Sequence, residues 1–280
     1  NIVERIKVIW PDTTFYVFGP LFSSQELVDY VKGKKLFDGI VISEIESVII
    51  DIIEKQDVKS ISGLYYLNMH GSYVCDKPDR KLVDMEKLPF LAYELVDYKK
   101  IDRFIIQTSR GCPKACNYCP YYLAQGNMFR AMSPGRVVDE MRNLSENFEA
   151  RYVLIHDAIF SLDKKRVIEL CDLLIKEKLN IEWECETHML HLDARLIRLM
   201  YDAGNRKINF GVESANEEVL KRANRKFRNW DRINKNIRVC KTLGVKTTAF
   251  FILALPGETV KGVYATIKLA RELAPDACHF

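Results

Sequence analysis

The chain has 280 residues, 48% hydrophobic and 29% charged, with 42 Lys+Arg against 38 Asp+Glu. At roughly 100–200 residues per domain this length suits about two domains, and it buries a full core without disulfide staples. The net charge of +4 is too mild to argue for nucleic acid, and no apolar run approaches the ~18 residues of a membrane span. The amphipathic start, NIVERIKVIWPD, has no signal-peptide core. The sequence begins with Asn and stops in the apolar stretch PDACHF, which reads as a fragment of a longer protein cut at both ends.

From residue 1 helices and strands alternate. IVERIKVIW reads as a helix and TTFYVFG as a short buried strand ending at Gly19-Pro20. SSQELVDYVKG is a helix with Ser24 as N-cap and Gly33 as its stop. FDGIVIS is a second strand, EIESVIIDIIEK a helix with acids in its first turn, and SISGLYYL a third strand. Alternation of this kind predicts a parallel sheet with crossover helices. LNMHGSYVCD reads as a turn at Asn68–Gly71 and a return strand, with His70 in the turn. Residues 76–100 are charged, hold Pro78 and Pro89 and show no period, so they read as a linker.

From 102 the alternation resumes. Strand RFIIQTS leads into a cysteine loop, and Ser133-Pro134 opens a helix running to about 148. Then come strand RYVLIHD, helix 163–178, strand IEWECET, helix 193–203 stopped by Gly204, and strand KINFGVES. A short helix 216–222, a longer one 229–243 stopped by Gly244, strand KTTAFFILAL, helix 259–273 and a last partial strand follow. Six strands in strict alternation with helices fit one βα barrel, complete or partial.

The loop SRGCPKACNYCPYY places Cys112, Cys116 and Cys119 in a C-x3-C-x2-C spacing without a fourth cysteine. A structural zinc site wants four ligands, and so does a simple electron-transfer iron–sulfur cluster. Three thiolates leave a metal position open to a small molecule. A zinc knuckle completed by a fourth ligand from elsewhere is the competing reading. The other five cysteines, 75, 171, 185, 240 and 278, stand singly in apolar surroundings, as buried thiols in a reducing cytoplasm do.

Active sites of βα barrels gather at the carboxyl ends of the strands. The polar residues there are His156-Asp157, then Glu184, Glu186 and His188, then Glu213-Ser214, then Pro256-Gly257-Glu258. Period-2 alternation sets Ile181, Trp183 and Cys185 on one face and Glu182, Glu184 and Glu186 on the other; Asn209, Gly211 and Glu213 face inward likewise. A lumen so lined suggests a polar cavity. His156 and His188 read as structural histidines, and the basic run KRANRKFRNWDR, 221–232, as a solvated connection.

CPKACNYC, with Tyr118 before the third cysteine, resembles the cysteine signature of the radical S-adenosylmethionine enzymes. SPGRVVDEM, IHDAIFSLDKKRV, INFGVESANEEVL and FFILALPGET are similar to further pieces of that superfamily, in its order, over roughly 102–280. The resemblance implies that Cys112, Cys116 and Cys119 hold a 4Fe–4S cluster whose fourth iron is chelated by S-adenosylmethionine, cleaved to a 5′-deoxyadenosyl radical. It implies that Tyr118, Asp157, Glu213 and Ser214 contact that cofactor, Asp157 and Glu213 at its ammonium and ribose, with Leu253 to Pro256 as an adenine-side wall. Ala158 and Ala254 depart from the family pattern, which often has an acid and a Gly there.

The N-terminal portion resembles the rear half of a cobalamin-binding domain, on YVFGP, GIVISEIESVI, ISGLYYLNMHGSYV and EKLPFLAYELV. The expected fold is thus α/β: residues 1–75 as the end of a Rossmann-like (flavodoxin-like) cobalamin domain, a linker at 76–100, and a partial (β/α)6 TIM-like barrel at 101–280. Corrinoid would lie against the Gly19–Ser23 and Ser43–Glu46 turns. The implied reaction is methyl transfer to, or rearrangement of, an unactivated carbon of a small molecule, with an external electron donor such as flavodoxin or ferredoxin. Alternatives are a radical S-adenosylmethionine enzyme without corrinoid, a tRNA methylthiotransferase (which would need a second cysteine trio before residue 112), and a zinc-stabilised binding module without catalysis.

Overall fold

The computed structural model describes residues 2–19, 22, 24–54, 57–225 and 229–280. In chain order its elements begin with α1 (Ile2–Ile9), β1 (Tyr16–Phe18), α2 (Gln25–Lys34), β2 (Gly39–Val41), α3 (Ile49–Glu54), β3 (Leu64–Leu67) and β4 (Tyr73–Val74). They continue with β5 (Phe104–Ile106), β6 (Ser109–Arg110), α4 (Pro120–Gln125), β7 (Arg130–Ala131), α5 (Pro134–Phe148), β8 (Tyr152–Ile155) and α6 (Lys164–Glu177). The last are β9 (Glu182–Thr187), α7 (Ala194–Asp202), β10 (Asn205–Glu213), α8 (Glu217–Arg222), α9 (Trp230–Leu243), β11 (Lys246–Phe251), α10 (Val260–Leu273) and β12 (Ala277–His279). The chain divides into two compact units, one of Asn1–Leu88 with Cys119–Met128, the other of Pro89–Tyr118 with Phe129–Phe280.

The first unit is built on a four-stranded sheet, order β1-β2-β3-β4. β2 is buried on both faces because adjacent residues point opposite ways. Ile40 packs with Phe22, Val28 and Val31, and Val41 with Val48, Ile61 and Leu64. The parallel sheet predicted here holds only for β1 and β2; β3 runs antiparallel to β2, and β4 antiparallel to β3. Among the described residues between β2 and β3 the helical pieces are short: a 3₁₀ turn at Ile45–Ser47, α3 and a second 3₁₀ turn at Val58–Ser60. Among the described residues no long crossover helix carries the chain back along the sheet, and β3 returns in the opposite sense. The predicted Lys55 end of that helix lies outside the described residues. The turn into β4 forms as expected: Asn68 Oδ1 accepts from the backbone N–H groups of His70 and Ser72 at 2.9 and 3.0 Å, and Gly71 takes φ +68°. Gly33 does not stop α2. It sits inside the helix, and Lys35, at φ +49°, closes it.

The second unit carries a six-stranded sheet, order β5-β8-β9-β10-β11-β12, with every pairing parallel. The strands follow one another in chain order, each joined to the next through helix, as the partial (β/α)6 reading requires. α5 packs beside α6, α6 beside α7, α7 beside α9 and α9 beside α10, forming the outer layer. Val137, Met141, Leu144, Val167, Leu170, Ile197 and Met200 are their buried faces. Helix starts are set by side chains: Ser133 caps α5, Asp163 caps α6, Asp193 caps α7 and Asn229 caps α9, each accepting from the backbone N–H three residues on. Trp183 anchors the sheet to this layer. It is fully buried, its indole N–H donates to the Ala203 carbonyl at 2.8 Å, and its ring lies 5.4 Å from that of Phe160. Gly204, φ +97°, is needed there, since a Cβ would come within 2.7 Å of the Ile181 carbonyl. Among the described residues no helix is long and apolar enough to cross a membrane.

Candidate active site at the strand ends

Parallel strands put all their carboxyl ends on one edge of the sheet, and Asp157, His188 and Glu213-Ser214 stand at or just past the ends of β8, β9 and β10 there; Glu184, expected with them, sits instead in the amino half of β9 beside Arg103 and Lys207. The strand-end residues do different work.

Glu213 ends β10 at φ +69°, where the register with β11 shifts. Its carboxylate is buried and meets Arg225, Nη1 to Oε1 3.4 Å, while its carbonyl accepts from the Ile252 N–H at 2.8 Å. Burial raises the Glu213 pKa, with Arg225 and Tyr118 pulling it back down. Burial alone would lower the Arg225 pKa, but Glu213, Tyr118 and Cys116 hold it above its ordinary value. Arg225 also donates to the Gly211 carbonyl at 2.7 Å. Gly211 is required by this arrangement: a Cβ there would lie 3.0 Å from Arg225 Nη2 and 3.1 Å from Glu213 Cδ, with Oε1 nearer still. The Tyr118 hydroxyl is buried and makes no hydrogen bond of ordinary geometry among the described residues. Its pKa is raised, first by burial and further by Glu213, against the pull of Arg225. Tyr118, Glu213, Arg225 and Cys116 thus form one electrostatic group.

The run 221–232 is therefore not a simple solvated connection. Its Ala223–Arg225 portion docks on the cysteine loop: Asn117 N–H donates to the Ala223 carbonyl at 3.1 Å, Asn117 Nδ2 to the Arg222 carbonyl at 3.1 Å, and Asn224 Nδ2 to the Ala115 carbonyl at 2.9 Å. Lys226–Arg228 of that run lie outside the described residues. A cavity of about 310 Å³ opens beside this contact, lined by Lys114, Ala115, Cys116, His188, Asn224 and Arg225. Burial, then Arg225, His191 and Lys114, lower the His188 pKa to about 3, so its imidazole is neutral at pH 7.

Asp157, just past the end of β8, is turned into the protein. It is completely buried, and both its oxygens are taken, Oδ1 by the N–H groups of Thr108 and Ser109 at 2.7 and 2.9 Å, Oδ2 by their hydroxyls at 2.6 and 2.7 Å. Burial raises its pKa while those bonds and Arg166 oppose the rise. It binds the end of the β5 segment and offers no oxygen to a ligand. Ser214 is fully buried too: its hydroxyl donates to Glu258 Oε2 at 2.8 Å and accepts from the Asn216 N–H at 3.0 Å. Leu253 and Pro256 are exposed in the turn after β11, which Ala254 enters at φ +60°.

The carboxylates expected to line a polar lumen are instead engaged by cations. Glu184 is buried, but it is neutralised by Arg103 and by Lys207 at 3.2 Å, and Asn209 Nδ2 donates to it at 3.3 Å. Glu182 is exposed and pairs with Arg206 at 2.9 Å, and Glu186 pairs with His156 at 3.3 Å. In the first unit, the Ser43–Glu46 turn expected to face corrinoid has two side chains turned inward. Ser43 Oγ donates to the Ser62 carbonyl and accepts from Lys81 N–H, and Glu44 accepts from Val83 N–H at 2.7 Å. Of the Gly19–Ser23 turn, Pro20, Leu21 and Ser23 lie outside the described residues.

All eight cysteines are free thiols. Cys112 and Cys116 are buried, and Cys119 is half-buried at the N-cap of α4. Gly111 and Ala115, at φ +85° and +48°, bend the loop around them. Soft thiolates are the donors that iron–sulfur clusters take. Three free thiols on one short loop are the donor type such a cluster takes, although among the described residues no three His, Cys, Asp or Glu side chains are placed to hold one metal ion. Cys171, Cys185 and Cys240 are core thiols as expected, burial pushing the pKa of Cys171 and Cys240 up to about 12. Cys278 is not. It lies exposed on β12, at the edge of the sheet, and Cys75 is half-buried.

Arg225 and Asn224 were missed by sequence reasoning; the usable signal was Glu213 itself, since a buried carboxylate demands a cation.

Comparison with known proteins gives the family. The model of the radical SAM superfamily matches residues 106–270, more than half of the chain. An uncharacterized methyltransferase of Pyrococcus horikoshii is 29% identical over 239 residues, 83% of this chain and 51% of that protein. An anaerobic magnesium-protoporphyrin IX monomethyl ester cyclase of Rubrivivax gelatinosus is 24% identical over 293 residues, 99% of this chain and 52% of that protein. The chain spans about half the length of these curated relatives. Among solved structures, the radical S-adenosylmethionine methyltransferase TsrM from Kitasatospora setae shares the fold with a TM-score of 0.82 at 19% identity, over 100% of this chain and 57% of that one. With the family model matching more than half of the chain and the α/β fold shared with a solved member, the chain belongs to the radical SAM superfamily.

Proposed function

We propose that this protein is a radical S-adenosylmethionine enzyme that uses cobalamin to transfer a methyl group to, or rearrange, an unactivated carbon of a small molecule. The observation that carries this reading is the free-thiol loop Cys112, Cys116, Cys119 within a chain whose superfamily match runs from β5 into α10. The cobalamin part is supported by relatives and neighbours that align through the N-terminal unit. The cyclase covers 99% of the chain, and a TsrM structure described with cobalamin and a [4Fe-4S] cluster bound covers 99% with a TM-score of 0.81.

Cys112, Cys116 and Cys119 would hold the cluster. When bound, it supplies one electron for cleavage of S-adenosylmethionine to a 5′-deoxyadenosyl radical. The chain's own residues bind and shield. Arg225 and Lys114 bring positive charge to the cavity beside Cys116, suited to a carboxylate ligand. Glu213 is the acid of the rim, held by Arg225 and aimed by its left-handed backbone. Neutral His188 presents a polar wall without adding charge. The exposed Leu253 and Pro256, in the turn that follows the Ile252–Glu213 backbone bond, would supply an apolar surface. Asp157 and Ser214 contribute through structure, their polar atoms being engaged internally. The abundance of unpaired thiols fits a reducing cytoplasm, and an external one-electron donor of the flavodoxin or ferredoxin class would complete the cycle.

The full-length protein, purified without oxygen and reconstituted, is expected to bind about four irons per chain, as cluster stoichiometry requires. It should release 5′-deoxyadenosine with reductant and S-adenosylmethionine, and contain cobalt after growth with cobalamin. Cys116→Ala abolishes iron and product alike; an intact cluster in that variant refutes the assignment. Cobalt-free but active protein would favour the reading without corrinoid.

A further inference from the structure

The loop that carries the three cysteines leaves and re-enters the second unit through a minimal two-stranded ladder. β6 pairs antiparallel with β7, Ser109 opposite Ala131 and Arg110 opposite Arg130. Two residue pairs cannot hold a loop by themselves, because an isolated short hairpin is marginal in water. What holds it is a buried polar lattice. Asp157 takes all four donors of Thr108 and Ser109. Arg166, from the first turn of α6, donates Nη2 to the Thr108 carbonyl at 3.1 Å and Nε to the Met132 carbonyl at 2.8 Å. Met132 N–H donates back to the Thr108 carbonyl at 2.9 Å. Asp157, Thr108, Ser109, Arg166 and Met132 are each at most 7% exposed. One carboxylate grips the entering stem, and one guanidinium ties it to the leaving stem.

We propose that Asp157 and Arg166 are positioning residues that lock both stems of the cysteine loop, so that the loop is pre-organised before any cluster is loaded. Asp157 thereby acts on the cluster site through Thr108 and Ser109. A four-donor carboxylate is stiffer than a single bond, since neither oxygen can turn without stranding two buried donors. The inference rests on the loop being the cluster-bearing segment, but the lock itself is a property of the metal-free chain.

The test is therefore read first on cluster-free full-length protein, by amide hydrogen exchange at Ser109–Arg110 and Arg130–Met132. Asp157→Ala strands four donors and should speed exchange at both stems ~10-fold or more, one lost charged hydrogen bond being worth about that factor. Asp157→Asn keeps an oxygen for the two backbone N–H groups and leaves the hydroxyls free to accept from its amide; exchange should stay within about threefold of the parent. Ser109→Ala combined with Asp157→Ala should add little to Asp157→Ala alone, as for residues acting as one unit. Leu144→Ala, a core cavity in α5, serves as the control: matched in lost stability, it should leave stem exchange and iron content alone. After reconstitution, Asp157→Ala should bind less iron, with a broadened EPR signal from what remains, and Asp157→Asn should not. Unchanged stem exchange in Asp157→Ala, or an equal change in Leu144→Ala, overturns the lock. Failure of all variants, parent included, to bind iron would leave the exchange result standing and count against the cluster assignment instead.

Discussion

Gly211→Ala tests whether the Glu213–Arg225 pair is as tightly seated as described. Gly211 does not have positive φ, so alanine suits the backbone and the cost is purely contact. The new Cβ would stand 3.0 Å from Arg225 Nη2 and 3.1 Å from Glu213 Cδ, nearer than ordinary van der Waals distance. Glu213 cannot retreat through its backbone, which is fixed at φ +69° with its carbonyl bonded to Ile252. The carboxylate must swing away, loosening the 3.4 Å pair to Arg225 inside a buried site. Overpacking of this kind costs about 1–3 kcal/mol, which for a chain of this size lowers Tm by about 2–12 °C. Gly135→Ala is the reference within the same unit, because nothing lies within 4 Å of its Cβ in α5. It should raise Tm slightly, by the ~0.4–1 kcal/mol of reduced unfolded-state freedom. Calorimetry of the cluster-free chain measures both, and S-adenosylmethionine binding to the reconstituted Gly211→Ala variant should weaken. Equal melting of the two variants would refute the close seating of Glu213, whatever the enzyme does.

The remaining expectations concern pH and the core. The Glu186 carboxylate, 3.3 Å from His156 Nδ1, raises the His156 pKa above its ordinary value, with burial opposing; that contribution is complete below the unfolded value and disappears as pH rises through the folded one. Urea midpoints of the parent and Glu186→Gln should differ more near pH 6 than near pH 8.5, and a gap that widens with alkali would contradict the pair. Trp183→Phe removes the indole donor to the Ala203 carbonyl from a fully buried position. It should cost about 2–4 kcal/mol from the cavity and the stranded carbonyl together, seen as a shifted denaturant midpoint with unchanged slope.

Much of the second unit was legible because its code is local and repeated. Period-2 strands, side-chain caps such as Ser133, Asp163 and Asn229, and the glycines 204 and 244 all stand in the sequence at their structural places. What stayed hidden depends on partners distant in sequence. Asp157 has the look of an open strand-end acid until Thr108 and Ser109, nearly fifty positions earlier, are seen to consume it. Arg225 sits in a run whose charge suggests solvent, yet a buried Glu213 draws it inward. The reversed β3 was invisible since strand direction is set by the path of the connection, not by the strand's residues. Gly33 misled because glycine inside a helix and glycine ending one are the same letter; Lys35 took the left-handed position instead.

The unequal placement of the eight thiols has a practical consequence. Cys171, Cys185 and Cys240 are sealed in the core, and the raised pKa of each leaves almost no thiolate to react at neutral pH. An alkylating reagent applied to the native protein will therefore reach Cys119 and Cys75 ahead of the buried Cys112 and Cys116, and the three core sulfurs will answer only once the sheet comes apart.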